Sequence, residues 1–246
     1  MNSGLSSKTL AQIVTENYKA AYIFERYDLD FCCKGKRSLQ IACDEKGLSV
    51  ETITSELNVS DKNESPVVDF DKLSLAELAD YIVSTHHSYA KNEMPQIFAY
   101  LHKVAFKHGD RHNELKTIFE KFSELKDEME THMRKEEFVL FPKIKDLEKK
   151  IQDHAQTGLR IRIPIMVMED EHEYAGALLK EIRNLSNDYN PPADACTTYR
   201  LCFAALQAFE IDLHQHIHLE NNILFPKAMN LSETEILPGD SCSCNL

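Results

Sequence analysis

The sequence predicts an all-α protein: an up-down four-helix bundle preceded by a small helical domain. Three observations carry this. Gly (7) and Pro (8) are scarce among 246 residues and Trp is absent, while Leu-, Ala-, Glu- and Lys-rich runs favour helix. Four long stretches carry apolar residues at alternating spacings of three and four, the stripe of a helix with one face in a core. The connections between them are mostly short enough to join antiparallel neighbours.

Residues 1–60 read as the small domain, with short helices over residues 9–17, 20–27, 39–46 and 50–57. Ser38 and Ser49 are candidate N-caps and Gly47 a candidate stop. Between the second and third of these helices lies DLDFCCKGKRSL, in which Cys32 and Cys33 are followed by Lys34, Lys36 and Arg37. Residues 61–72 are polar, contain Pro66 and read as a linker. The long-helix domain spans residues 73–230, and residues 231–246 form a Cys-bearing tail.

Within the long-helix domain, Ser74 and Glu77 make a capping box before the first helix. That helix should reach His108, stop at Gly109 and kink or break at Pro95. The second should cover residues 113–149 with an interruption at Pro142. The third should follow Pro164 and end near Asn187. The fourth should cover residues 197–229 with an interruption at Pro226.

Composition excludes some classes. A net charge of −12 argues against nucleic acid as the main partner, because phosphate binding needs a basic face. No apolar run approaches the ~20 residues of a membrane span. The opening MNSGLSSKTL lacks the regions of a signal peptide, so a cytoplasmic location is expected. Seven cysteines in a reducing compartment read as thiols, ligands or redox groups rather than a disulfide framework.

The chemistry is concentrated in HMRKEEFVLFPK, residues 132–143, which returns as HIHLENNILFPK, residues 216–227. His132 and His216 stand 84 residues apart, as do Glu136 and Glu220, Phe141 and Phe225, and Pro142 and Pro226. A Glu four residues after a His puts an imidazole and a carboxylate on one helical face. The stripes place both pairs inward. The second helix runs Ile118, Phe122, Leu125, Met129, His132, Glu136, Val139, and the fourth runs Cys202, Leu206, Phe209, Leu213, His216, Glu220, Ile223. The third puts His172 in line with Ile165, Met168, Ala175, Leu179 and Ile182. The first puts His87, not His86, in line with Val83, Ala90, Met94, Ile97, Leu101 and Val104. His214 and His218 fall on other faces. One His helix plus one His-x3-Glu helix therefore occurs twice.

A single core-stripe His is ordinarily a hydrogen-bonded core residue. Four in register with two buried carboxylates, all duplicated, point instead to metal binding. His87, His132, His172 and His216 with Glu136 and Glu220 suit iron, manganese or zinc, and no thiolate is among them. Two bridging carboxylates leave two histidines per ion, so an oxo or hydroxo bridge and open positions are expected.

These motifs resemble the hemerythrin-like di-iron domain, and more specifically the Repair of Iron Centres family of iron–sulfur cluster repair proteins. HHSYAKNEMP, HMRKEEFVLFPKI, VMEDEHEYAG, NDYNPPADACTTYR and HIHLENNILFPKA look like successive family blocks, and DLDFCCKGKRSL looks like the accessory domain, with Lys34 where the family pattern has Gly. The resemblance implies two non-haem iron ions held by the six residues above, with Glu136 and Glu220 as bridges. It implies repair of iron–sulfur proteins damaged by oxidative or nitrosative stress, by supplying iron. Reduction of nitric oxide at the centre and homodimer formation are further implications.

Cys32 and Cys33 beside three cations read either as a redox or iron relay with a favoured thiolate, or as a small buried pair closing a turn. Cys43, Cys196 and Cys202 read as packing, and Cys242 and Cys244 read either as metal-binding or as carrying no role. Glu171 reads as a partner of the ligands, part of a polar path, or solvated surface. The alternative functions are a nitric oxide reductase or oxidase, and a hemerythrin-type oxygen carrier or sensor. The carrier typically has a fifth histidine where this chain offers Glu.

Overall fold

The computed structural model describes residues 3–60, 69–153 and 160–233. Most of the predicted linker, and the tail with Cys242 and Cys244, lie outside the described residues.

The N-terminal region contains α1 (Ser3–Ser6), α2 (Leu10–Glu16), α3 (Ala20–Arg26), α4 (Leu39–Lys46) and α5 (Val50–Ser60). Their ends have local causes. Thr9 and Gln12 close a capping box on α2. Ser38 caps α4, and Gly47 ends it at φ 65, the left-handed conformation that favours glycine. The Ser49 hydroxyl accepts from the Thr52 N–H at 3.3 Å at the start of α5.

The first long helix is α6 (Leu75–Ile82), a π turn over Val83–His87, and α7 (Ser88–His108). Its capping box of Ser74 and Glu77 forms as expected. The second is α8 (Glu114–Lys135), a π turn over Glu136–Leu140, and α9 (Phe141–Gln152). The third is α10 (Arg162–Leu185). The fourth is α11 (Thr197–Leu219), a π turn over Glu220–Leu224, and α12 (Phe225–Glu233). α7 packs on α8 and α11, and α8 packs on α10, which makes the four-helix bundle.

The interruptions differ from expectation in form. α7 continues through Pro95, and the break in the first helix falls earlier, at the π turn over Val83–His87. At Pro142 and Pro226 the helix is not cut; it widens just before each proline. A proline has no N–H for the carbonyl four residues back, here Phe138 and Asn222, so a wide turn sacrifices little at that place.

The extra residue of a π turn also advances the apolar stripe. Val139, expected in the core, is 47% exposed, and Leu140 takes the buried place at 2%. The interior accordingly divides into two apolar clusters. One holds Met94, Met129, Ala175 and Leu213; the other holds Ile82, Leu140, Phe141, Met168, Leu219 and Phe225. The predicted His and Glu residues lie between them along each helix.

The N-terminal helices share the first of these clusters, through Leu10, Phe24 and Phe31 among others. Tyr18 donates to Gln215 at 3.0 Å, and Asn222 donates to the Cys32 carbonyl at 2.9 Å. Phe70, inside the predicted linker, is buried and packs its ring 5.3 Å from that of Tyr18.

Candidate metal centre

All six predicted ligands converge. Their donor atoms form two groups, His87, Glu136, His216 and Glu220, and His132, Glu136, His172 and Glu220, each with all donor atoms within 4.8 Å of one another. Both glutamates belong to both groups, so each carboxylate faces one histidine of each pair. Glu136 presents Oε1 to His132 Nε2 at 3.2 Å and Oε2 to His87 Nε2 at 3.3 Å. Glu220 presents Oε1 to His216 Nε2 at 3.1 Å and Oε2 to His172 Nε2 at 3.1 Å.

The helices explain the convergence. His132 and Glu136, like His216 and Glu220, are one turn apart, and each Glu opens a π turn. His87 closes the remaining π turn. Wide turns are frequent at functional sites because they re-aim a side chain within a continuous helix. The first helix also delivers His86, which the stripe had set aside. His86 is buried, yet its Nδ1 turns to Asp212 at 3.0 Å and it enters neither donor group. His214 and His218 face the N-terminal helices, as expected of their register: His214 meets Glu25 and His218 meets Thr15.

The residues fit a cation by three tests. Neither oxygen of Glu136 or Glu220 has a hydrogen-bond partner, and both side chains are fully buried. The rings are oriented from outside: His87 Nδ1 meets Glu137 at 2.7 Å, His132 Nδ1 meets Glu171 at 2.9 Å, and His172 Nδ1 meets Asn221 at 2.8 Å. An acceptor on Nδ1 places the proton there and leaves Nε2 a bare lone pair aimed inward. Yet His87 and His216 bring Nε2 to Nε2 at 3.2 Å, and His132 and His172 do so at 3.0 Å. In the His132–His172 pair, where both Nδ1 atoms have acceptors, facing lone pairs repel unless a proton or a cation lies between them.

Proton affinity follows the same logic. Burial presses the His132 imidazole down, but the Glu136 carboxylate overrides it and the value rises to about 10. His87 is also raised, against its own burial, by Glu136 and Glu220. Glu220 is held well below the usual carboxylate range: the His216 and His172 rings outweigh its burial. Without a cation, the two carboxylates favour a proton on His87 and His132, while burial holds His216 down; a bound cation would take the place of those protons.

The sequence reading missed the groups that orient the rings, apart from Glu171. The 84-residue repeat contains the missing signal. Glu137 and Asn221 are equivalent positions in it, and each fixes the Nδ1 of a histidine on the preceding His helix. Where Glu171 bonds His132, the corresponding place beside His216 holds His86, which stacks on it at 5.9 Å.

Cys33 Sγ lies 3.8 Å from the His172 carbonyl and 3.8 Å from Cys32 Sγ. Of the two readings of the pair, the surroundings of Cys32 favour a neutral, buried thiol. The hydrogen bond with Cys33 and burial push the Cys32 thiol up, with Asp30 and Glu25 adding to the rise. Of the cations that were expected to stabilise it, Arg37 is engaged with Glu45, while Lys34 and Lys36 are exposed. Cys43 and Cys202 are buried, as expected of packing residues.

The profile for the hemerythrin HHE cation binding domain matches residues 78–228, which contain all six donors. A domain of unknown function, DUF542, matches residues 6–61. The iron-sulfur cluster repair protein YtfE of Escherichia coli O17:K52:H18 is 35% identical over 221 residues, covering 89% of this chain and 96% of that protein. The chain belongs to the iron–sulfur cluster repair family. A probable iron-sulfur cluster repair protein of Haemophilus influenzae is 34% identical over 227 residues, covering 92% of this chain and 98% of its own length. A YtfE of Enterobacter sp. strain 638 is 35% identical over 221 residues, with 89% and 96% covered. The family's hemerythrin part is a cation-binding domain, and the two His/Glu groups are where this member can hold a metal. Among the described residues no helix is long and apolar enough to cross a membrane.

Proposed function

We propose that the chain is a non-haem di-iron protein that repairs iron–sulfur clusters damaged by oxidative or nitrosative stress, by supplying iron from its own centre. The observation that carries this is the pair of His2Glu2 donor groups sharing Glu136 and Glu220, in a chain similar over most of its length to named cluster repair proteins. His87 and His216 would hold one ion and His132 and His172 the other, with Glu136 and Glu220 within reach of both. Bound there, iron supplies open coordination positions for small molecules such as nitric oxide or oxygen, and a store that can be released.

The surroundings favour release over permanent storage. Four histidines and two shared carboxylates are a sparse set for two ions. His86, the fifth histidine at the centre, is committed to Asp212. That argues against the firmly held site of an oxygen carrier. A cavity of about 230 Å3 opens beside Asn221, which holds His172, and is lined by Glu169, Asp170 and Glu173. Carboxylates along an opening of this kind guide a cation between solvent and site. The same cavity is lined by Cys32 and Cys33. We assign these thiols as the redox or iron relay, and damaged iron–sulfur proteins as the partners, in the cytoplasm.

The test is metal analysis of the freshly purified full chain, followed by transfer. The protein should carry iron, with an optical band of an oxo-bridged pair. It should restore a damaged iron–sulfur enzyme in proportion to the iron it loses. Tight retention of iron during restoration, or restoration by metal-free protein, overturns the reading.

A further inference from the structure

A second cavity, of about 390 Å3, lies between the N-terminal helices and α10. Cys33 and Cys32 stand on its wall with Gly176 of α10 opposite, where an added Cβ would lie 3.8 Å from Cys33 Sγ. Cys32 is buried and Cys33 is partly exposed, so Cys33 is the thiol that a ligand meets.

Most charges around this cavity are already engaged. Lys46 pairs with Asp28, Arg37 with Glu45, and Arg183 with Glu25 and Glu210. Asp30 accepts from the backbone N–H groups of Cys33 and Lys34. Three charged side chains on the wall remain without a partner among the described residues: Lys34, Lys180 and Glu173. Two free cations and one free anion around a thiol are the complement of a small molecule with two carboxylates, one ammonium and a sulfur. We propose that this cavity binds a small zwitterionic thiol of the glutathione type, reduced or as its disulfide, with its sulfur at Cys33.

The chemistry is thiol–disulfide exchange. A Cys33–glutathione S–S bond forms as the S–S bond of oxidised glutathione breaks. The departing half leaves as the thiol and takes the Cys33 proton, so neither a metal nor another oxidant is needed. Lys34 and Lys180 hold the two carboxylates of the bound half, and Glu173 holds its ammonium. Reversal by reduced glutathione regenerates the Cys33 thiol. The inference goes beyond iron supply and does not depend on it.

The protein's overall charge makes the test discriminating. A chain of net charge −12 should repel an anionic disulfide and react faster with a neutral one of similar size. A built site reverses that order. The full chain, metal-loaded and metal-free, is incubated with oxidised glutathione or with bis-hydroxyethyl disulfide. Intact mass and peptide mapping follow modification at Cys33. The expected result is one glutathionyl group on Cys33, arriving about tenfold faster than the uncharged group. Lys34→Gln with Lys180→Gln should abolish the advantage while leaving the rate with the uncharged disulfide unchanged. Equal or slower modification by glutathione disulfide, an advantage that survives the double substitution, or modification confined to another cysteine overturns the proposal. The readout is mass at one thiol, so its failure is distinct from a failure to load or release iron.

Discussion

His132 and His172 face each other with their Nε2 atoms 3.0 Å apart, while Glu171 and Asn221 hold the opposite nitrogen of each ring. The orientation is imposed from outside and turns both Nε2 atoms inward, where a proton or a cation must lie between them. Glu136 and Glu220 add four unpartnered oxygens to the same fully buried layer. The metal-free layer is therefore a cost that the two apolar clusters on either side must carry. Glu136→Leu and Glu220→Leu should each sharply lower iron content, and the helical signal should survive. Replacing a buried charge by an apolar group of similar size should leave the metal-free protein as stable or up to about 1–4 kcal/mol more so. Metal analysis, circular dichroism and urea midpoints on one preparation check this. Loss of helix together with iron would instead mean that the bundle needs its metal to fold.

His86 and His87 are adjacent and both buried, so burial alone does not separate them. Their partners do. His87 Nε2 meets Glu136 at 3.3 Å and His216 at 3.2 Å, whereas His86 reaches Asp212 and stacks on His216. His87→Ala should remove iron. His86→Ala should keep it at some loss of stability, about 1 kcal/mol, because the partly exposed Asp212 loses its partner and the buried ring is removed. Bound iron in the two variants decides the point. The reverse pattern would assign the ligand to His86.

The contact between α3 and α11 should give the protein a pH-dependent stability. His214 Nδ1 lies 2.5 Å from Glu25 Oε1. Burial presses this imidazole down, but Glu25 dominates and raises it from 6.5 to about 9. A raised folded value favours the protonated fold. The contribution is fully present below the ordinary value of 6.5 and is lost as pH rises through about 9. His214 is partly exposed, so the effect should be roughly 1–3 kcal/mol. Urea midpoints of metal-loaded protein should fall across that window, and His214→Gln should flatten the fall. Loading with metal removes the competing titration of His132, which otherwise overlaps it. An unchanged slope in His214→Gln would remove this contact from the account.

The bundle and all six donors were legible because each rests on a local rule. Apolar spacing fixed the four helices, and an in-register His or Glu in an apolar stripe has few structural explanations. What was not legible depends on the exact number of residues per turn. Val139 was placed inside and lies outside, because the turn from Glu136 adds one residue before it. No residue of that turn announces the widening; only Pro142, just beyond it, marks a missing donor. Pro95 sends the same signal inside an unbroken helix. The state of Cys32 was not legible for a different reason. Sequence neighbours supplied three cations, but the fold buries the thiol against Cys33 and places Asp30 and Glu25 near it. Asn221 and Glu137 were readable in principle, since the repeat that picked out the ligands also aligns these two.

The thiols are separable from the metal centre. Cys33 touches the His172 carbonyl rather than a donor atom, and neither thiol belongs to the two His/Glu groups; with Asp30 the pair forms a separate cluster of possible donors. Asn222 donates to the Cys32 carbonyl at 2.9 Å, so the pair is positioned by backbone and survives loss of its sulfurs. Cys32→Ser with Cys33→Ser should therefore leave metal content and helical signal unchanged. The exchange of S–H for O–H conserves shape, and the cost in stability should stay near about 1 kcal/mol. Restoration of a damaged iron–sulfur enzyme should nevertheless slow, because the cavity beside Asn221, the proposed route for iron, is lined by Cys32 and Cys33. Measuring iron per chain and the restoration rate on the same preparation distinguishes the two effects. Full restoration by the double variant would leave the bundle as the whole functional unit; loss of iron would make the pair structural support for the centre.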